Sequence, residues 1–321
     1  MRNKTSVICI LITLLLGYSV CLAAELKDSN VISLMPKWKK GEKHTYEIVK
    51  TREQNKSPEK STSRTSAEIQ VLKANKSGCT LMWSWGKVTL DDVEQNSDSI
   101  VQKLANLQQG LSIKLKIDQL ARIEEVENWE EIRDYIFKVI DTIREESRSS
   151  GIDTNALLQT TSQMRSMFSD KEQIEAFCIR DIQLFMAAIG REYDSSRPFE
   201  YDDKIADPFG GEPLPTKGKF SLKSNDKSTD FVIVLWEQTF DPNKALKAVS
   251  DGLEKIAPDP EEAHKEMHSQ LKNFSIEDRG EFTIERSSGW IERAFYVRTV
   301  KAGNIFRKDS TTMTRKDDRT E

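Results

Sequence analysis

Histidine is scarce in this chain: 321 residues hold three, His44, His264 and His268. Only the last two stand together. They lie four apart in a predicted helix, which puts both rings on one face. Catalytic zinc needs a third protein ligand. His44 sits far off in a predicted strand, Glu261 stands one helical turn before His264, and Glu266 is at the wrong offset for a metalloprotease motif. A zinc-binding protein using His264 and His268 is kept as a third reading. The sequence also lacks a Gly-x-Ser-x-Gly elbow and a phosphate-binding loop. Gly210-Gly211 is a turn without the Lys-Ser/Thr that a nucleotide site requires. No cofactor is implied. Positive charge is in deficit too, with 48 basic against 52 acidic residues. A nucleic-acid binder would show a concentrated basic face instead.

Long apolar runs are missing after the first two dozen residues, so nothing later spans a bilayer as a helix. The one early run is short. Arg2 and Lys4 precede an apolar stretch from Val7 to Val20, and small residues close it at Ala23 and Ala24. Charge, apolar run and small-residue cleavage site are the order of a secretory signal peptide. Residues 1–24 are therefore read as a leader, cut after Ala23 or Ala24, and the protein as periplasmic or secreted. Lipid attachment at Cys21 is the less favoured variant, because Tyr18 and Val20 stand where a lipobox wants aliphatic and small residues. Removing Arg2 and Lys4 leaves 46 basic residues against 52 acidic ones, a net charge of −6. Cys9 and Cys21 leave with the leader. An oxidising compartment permits a disulfide between the remaining Cys79 and Cys178; the alternative is two buried thiols acting as small hydrophobes.

Period-two alternation predicts strands at Tyr46–Ile48, Ala67–Val71, Cys79–Leu90 and, most cleanly, Leu111–Ile117. Asp118 to Ala121 is a hairpin turn, and Arg122–Val126 the return strand. Asn128 is expected to cap a helix carrying Trp129, Ile132, Ile136 and Ile140. Two more helices are expected, from Asp153 to Phe168 and from a Ser169/Glu172 capping box to Gly190. Residues 51–63 read as a loop. Residues 194–219, punctuated by proline and glycine, read as a linker. Phe220–Lys223 and Phe231–Trp236 follow as strands. Helices over Asp241–Ile256 and Glu261–Phe274 come next, then strands around Gly280–Glu285 and Gly289–Thr299. Residues 307–321 form a polar tail.

Strands and helices fall in separate blocks, which favours α+β: antiparallel sheets packed against segregated helices. The division is a leader at 1–24, an N-terminal α+β region at 25–193, the linker at 194–219, a C-terminal α+β region at 220–306 that could share one sheet with the first, and the tail at 307–321. Trp83, Trp85, Trp236 and Trp290 all fall in or beside strands. A sheet lined with such rings could hold an apolar ligand, or the rings fill the layer between sheet and helices.

Three segments carry a resemblance. They are Trp38-Lys-Lys-Gly41-Glu-Lys-His-Thr-Tyr46-Glu-Ile48; Ile113 through Asp118-Gln-Leu-Ala121 to Val126-Glu-Asn128-Trp129-Glu-Glu-Ile132; and Gly289-Trp290-Ile-Glu-Arg293. In these the chain resembles exported bacterial proteins of unknown function, whose members usually have glycine where Ala121 stands. The resemblance covers about a fifth of the chain and implies an envelope or secreted α+β protein; it transfers no catalytic residue. The expected function is a non-enzymatic envelope protein, binding or structural, with an apolar small molecule or an envelope protein as partner. The alternative is a secreted hydrolase whose acid/base site is assembled from scattered carboxylates.

Overall fold

A computed structural model describes residues 30–55, 57–91, 109–149, 168–205, 213–224, 228–245, 274–303 and 305–317, with a few isolated positions besides. The leader, His264 and His268 lie outside the described residues, as do most of the helices expected at 153–168 and beyond Asp241.

Short apolar alternation starts the sheet. Strand β2 (Lys43–Gln54) buries Tyr46 and Ile48 on one face. It pairs with β3 (Ser57–Asn75), and β3 with β4 (Gly78–Trp85) and the short β5 (Thr89–Leu90). Beyond β4 come β6 (Ser112–Asp118) and β7 (Ile123–Val126). Two helices follow, α1 (Trp129–Ser149) and α2 (Lys171–Met186). Strand β8 (Glu192–Asp194) pairs apart from the rest with β1 (Val31–Ser33). The other half of the sheet is β9 (Phe199–Ile205), β10 (Leu214–Ser224), β11 (Phe231–Phe240), β12 (Ser275–Glu285), β13 (Ile291–Ala302) and β14 (Ile305–Arg315). The path is β7-β6-β4-β3-β2-β14-β13-β12-β11-β10-β9, with β5 on β3, and every pairing is antiparallel.

The balanced α+β expectation is therefore wrong: strand makes up 55% and helix 20%, and the protein is mainly β. The excess strand comes from three stretches read otherwise. The supposed loop at 51–63 continues β2 and opens β3; the supposed linker holds β9 and the start of β10; the supposed tail is β14, at the centre of the sheet. Polar residues dominate all three, and the few apolar ones, such as Phe199 and Tyr201 in β9 and Met313 in β14, are too sparse to announce a strand. Their pairing comes from backbone ladders, as in Lys50↔Ser63 and Thr311↔Lys50.

Local signals in the β6–α1 segment hold. Asp118 Oδ1 accepts from the backbone N–H groups of Leu120 and Arg122, closing the turn. Ala121 in that turn has φ +59°, a left-handed conformation that glycine takes without strain. Asn128 stands at the expected cap position, its carbonyl accepting from Ile132 N, but its side chain is used elsewhere: Oδ1 accepts from Lys114 N and Nδ2 donates to the Ser112 carbonyl, tying the start of α1 to β6. Likewise the cap of α2 is Asp170, one residue past the expected Ser169, accepting from Gln173 N at 2.9 Å.

Alternate residues of paired strands share a face, so the register defines an inner face. Helix α2 lies on it. Phe185 meets Tyr46 and Trp83 edge-on at 4.9 and 5.4 Å between ring centres, and Ile174, Cys178 and Ile182 are buried beside it. Burying each such side chain contributes about 1.5–3 kcal/mol.

Candidate functional site

Reading the inner face row by row shows where its cover ends. One row runs Val234–Phe282–Ala294–Met313–Ile48 across β11, β12, β13, β14 and β2, and it is buried throughout. The next row, one pleat on, is Trp236–Gly280–Tyr296–Thr311–Lys50–Ser63. After it comes Gln238–Asp278–Arg298–Asp309–Arg52–Ser61. The face thus passes from apolar to aromatic and basic to charged, in three steps across the strands.

The charged row is built from ion pairs. Asp278 is buried to 1% exposure and accepts from Arg298 Nε and Nη2, both at 2.7 Å, and from the Tyr296 hydroxyl at 3.0 Å. Burial raises the Tyr296 phenol pKa, and the Asp278 charge adds to that. Asp309 accepts from Arg52 Nε at 2.8 Å and from Arg307 Nε at 2.7 Å. Burial opposes its ionisation, but these two hydrogen bonds and the two guanidinium charges hold its carboxyl below the usual range. In the row above, Lys50 Nζ donates to Asp181 Oδ2 at 2.5 Å, which ties α2 to β2.

Between α2 and strands β2, β3, β13 and β14 these rows enclose a cavity of about 440 Å³. Its basic lining is Lys50, Arg52, Arg180 and Arg307, its acidic lining Asp181 and Asp309, and Leu90, Leu184 and Tyr296 supply apolar surface. Small-molecule sites commonly span about 300–1,000 Å³. A larger hollow of about 730 Å³ lies at the β9–β11 edge, where Asp202, Asp203 and Asp241 face Lys204 and Lys217; it offers no excess of cations.

An aromatic row leads to the first cavity. Tyr201, Phe220, Trp236 and Tyr296 stack in sequence across β9, β10, β11 and β13, with ring centres 5.7, 6.2 and 5.8 Å apart. Trp236 Nε1 donates to the Tyr201 hydroxyl at 2.7 Å. Gly218 makes room for this: a Cβ there would stand 2.2 Å from the Tyr201 ring.

The tryptophans singled out in the sequence are core residues. Trp83, Trp85, Trp236 and Trp290 are 0, 5, 5 and 2% exposed. Trp83 packs under α2 against Phe185, Trp85 packs beside Trp83, and Trp290 stacks on Trp38 at 4.6 Å with its Nε1 donating to Glu42. Trp236 alone reaches toward the cavity, through Tyr296. Cys79 and Cys178 are free thiols, pushed up by burial to about 11 and about 12. His44 stands in β2, its Nδ1 bound to Asp317 and its ring edge-on to Trp290. No group of three or more metal-ligating side chains occurs among the described residues. The cavity residues were missed because Arg52 lies in the stretch read as a loop and Arg307 and Asp309 in the stretch read as a tail, while Lys50 stands just before the loop. The only signal was their spacing of two.

No family model matches the chain, and no curated protein matches it. Among solved structures, one described as "lipid-protein interactions in lipovitellin" aligns with TM-score 0.44 at 10% identity, over 88% of this chain and 26% of that one. The chain thus spans about a quarter of the lipovitellin length. A porin-like protein from Bacteroides uniformis aligns with TM-score 0.17 at 7% identity, over 85% of this chain and 95% of that one. Both scores are too low to assign a fold.

Proposed function

We propose that this is an exported, non-enzymatic binding protein of the cell envelope, which holds an apolar small molecule against the inner face of its sheet. The observation that carries the reading is the edge of the α2 cover. Past Met313 and Ile48 the inner face on β14 and β2 is only partly buried, yet Tyr296 and Leu184 still line a 440 Å³ cavity there. A face needed only for packing would be filled to crystal-like density. The export half of the reading rests on the charge, apolar run and small residues of 1–24.

The hydrolase alternative needs two carboxylates in unlike surroundings, one of them available as an acid. The acids at the cavity and in the charged row are each committed to a base: Asp181 to Lys50, Asp309 to Arg52 and Arg307, and Asp278 to Arg298. That pattern suits structural pairing better than proton transfer.

Native mass spectrometry of protein recovered from its own host tests the reading. The expected species begins at Ala24 or Glu25 and carries an adduct that organic extraction removes. A chain recovered from cytosol with Met1 or Arg2 in place, or one that never carries an adduct, would overturn it.

A further inference from the structure

We infer that the cavity under α2 is an oxyanion site, which takes the carboxylate or phosphate head of a single-chain amphiphile. This rests on the preceding reading of the inner face and specifies the ligand's polar end. Four basic side chains meet two carboxylates around one cavity, in a protein whose exported form carries net negative charge. The excess is therefore local and runs against the average.

The donors are not used up by the protein. Lys50 is satisfied by Asp181. Arg52 and Arg307 each give their Nε to Asp309, which leaves the Nη ends of both forks without a carboxylate among the described residues. Arg180 forms no ion pair among the described residues, though its charge acts on the Tyr296 phenol across the cavity. Three guanidiniums thus offer planar donor pairs to one volume, the geometry that recognises carboxylate and phosphate. Leu90, Leu184 and Tyr296 line the same cavity and receive the first carbons of the chain.

Calorimetric titration of the full exported chain tests this with four probes, the three amphiphiles kept below their micelle concentrations. The probes are dodecanoate, dodecyl phosphate, the neutral octaethylene glycol monododecyl ether, and inorganic phosphate. The two anionic amphiphiles are expected to bind at least about tenfold more tightly than the neutral one, and less tightly as salt rises. Arg180→Gln is expected to weaken both by about tenfold and to leave the neutral probe unchanged. Arg180 is an exposed residue of α2, so its replacement does not threaten folding. Asp309→Asn releases Arg52 and Arg307 and is expected to tighten anion binding several-fold, a gain that misfolding cannot mimic.

Equal affinity for neutral and anionic chains, unmoved by Arg180→Gln, would refute the oxyanion site and leave the apolar reading standing. Inorganic phosphate binding as well as dodecyl phosphate, and weakened by Arg180→Gln, would uphold the oxyanion site and remove the apolar ligand. Failure of all four probes would remove both.

Discussion

The ion pair between Asp278 and Arg298 gives the sharpest test of how the inner face is held. Asp278 is 1% exposed and Arg298 25%, and three hydrogen bonds close on the one carboxylate. Asp278→Asn keeps the shape and removes the charge, which leaves a three-quarters buried guanidinium without a counter-ion. Breaking such a pair costs about 3–5 kcal/mol when both partners are buried. Residual water at Arg298 places the expected loss near the lower end, about 3 kcal/mol. With a urea dependence of about 2–3 kcal/mol per molar, the unfolding midpoint should fall by about 1 M. Arg298→Leu should cost at least as much, because the carboxylate it abandons is the more deeply buried partner. The double replacement by leucine should recover more than half of either loss, since apolar groups of similar volume substitute well for a buried pair. Urea melts of the unmutated protein, Asp278→Leu, Arg298→Leu and the double leucine variant give the coupling energy directly. Single losses under about 1 kcal/mol, or a double variant that simply adds the two, would show that the charged row contributes nothing of this kind.

Gly218→Ala should drive the Tyr201 ring off its seat and break its bond to Trp236, at a cost of about 1–3 kcal/mol with a shift in tryptophan emission; an unchanged spectrum and midpoint would contradict the stacked row. Ala121→Gly should raise stability by about 0.5 kcal/mol, because relief of the left-handed alanine exceeds the added chain entropy, and Ala121→Val should lower it by more than about 1 kcal/mol; thermal melts decide the signs. The two thiols, held near 11 and 12 when folded, should resist alkylation at pH 8 until the chain unfolds. Because folding raises their pKa, their contribution is complete below the unfolded value near 9 and is lost as pH rises through 11 and 12. Melts that show no alkaline loss beyond that of a double Cys→Ala variant would argue against it.

Strands were legible where one face is apolar. Leu81, Trp83 and Trp85, or Ile113, Leu115 and Ile117, announce themselves at a period of two and occupy the buried face as expected. The Asp118 turn was legible for the same local reason: its side chain bonds within four residues. The polar halves of β2 and β3, and strands β9 and β14, were not, because serine, threonine, lysine, arginine and aspartate outnumber their few apolar residues. Such residues pair with strands far away in sequence; Arg52 meets Asp309 across 257 positions. No window along one segment contains that partner. The cavity shares the difficulty, since each of its cations looks like an ordinary solvated charge until four strands and α2 are brought together. For the tryptophans the sequence left two readings open, a ligand surface or core filling, and burial decides for the core: all four are at most 5% exposed.

One seam joins the two halves of the sheet. Strand β14 bonds to β2 on one side and to β13 on the other, and no other described strand bridges the halves. Until that strand arrives, β2 and β13 each carry a bare row of amide donors and acceptors, open to capture by a neighbouring molecule. So distant a closure is also slow, because the intervening chain surrenders its freedom before the contact rewards it. The lysine, arginine and threonine of β2 then acquire a second use. They keep a waiting edge wet and charged, so that the polypeptide finds its own missing strand before it finds a stranger's.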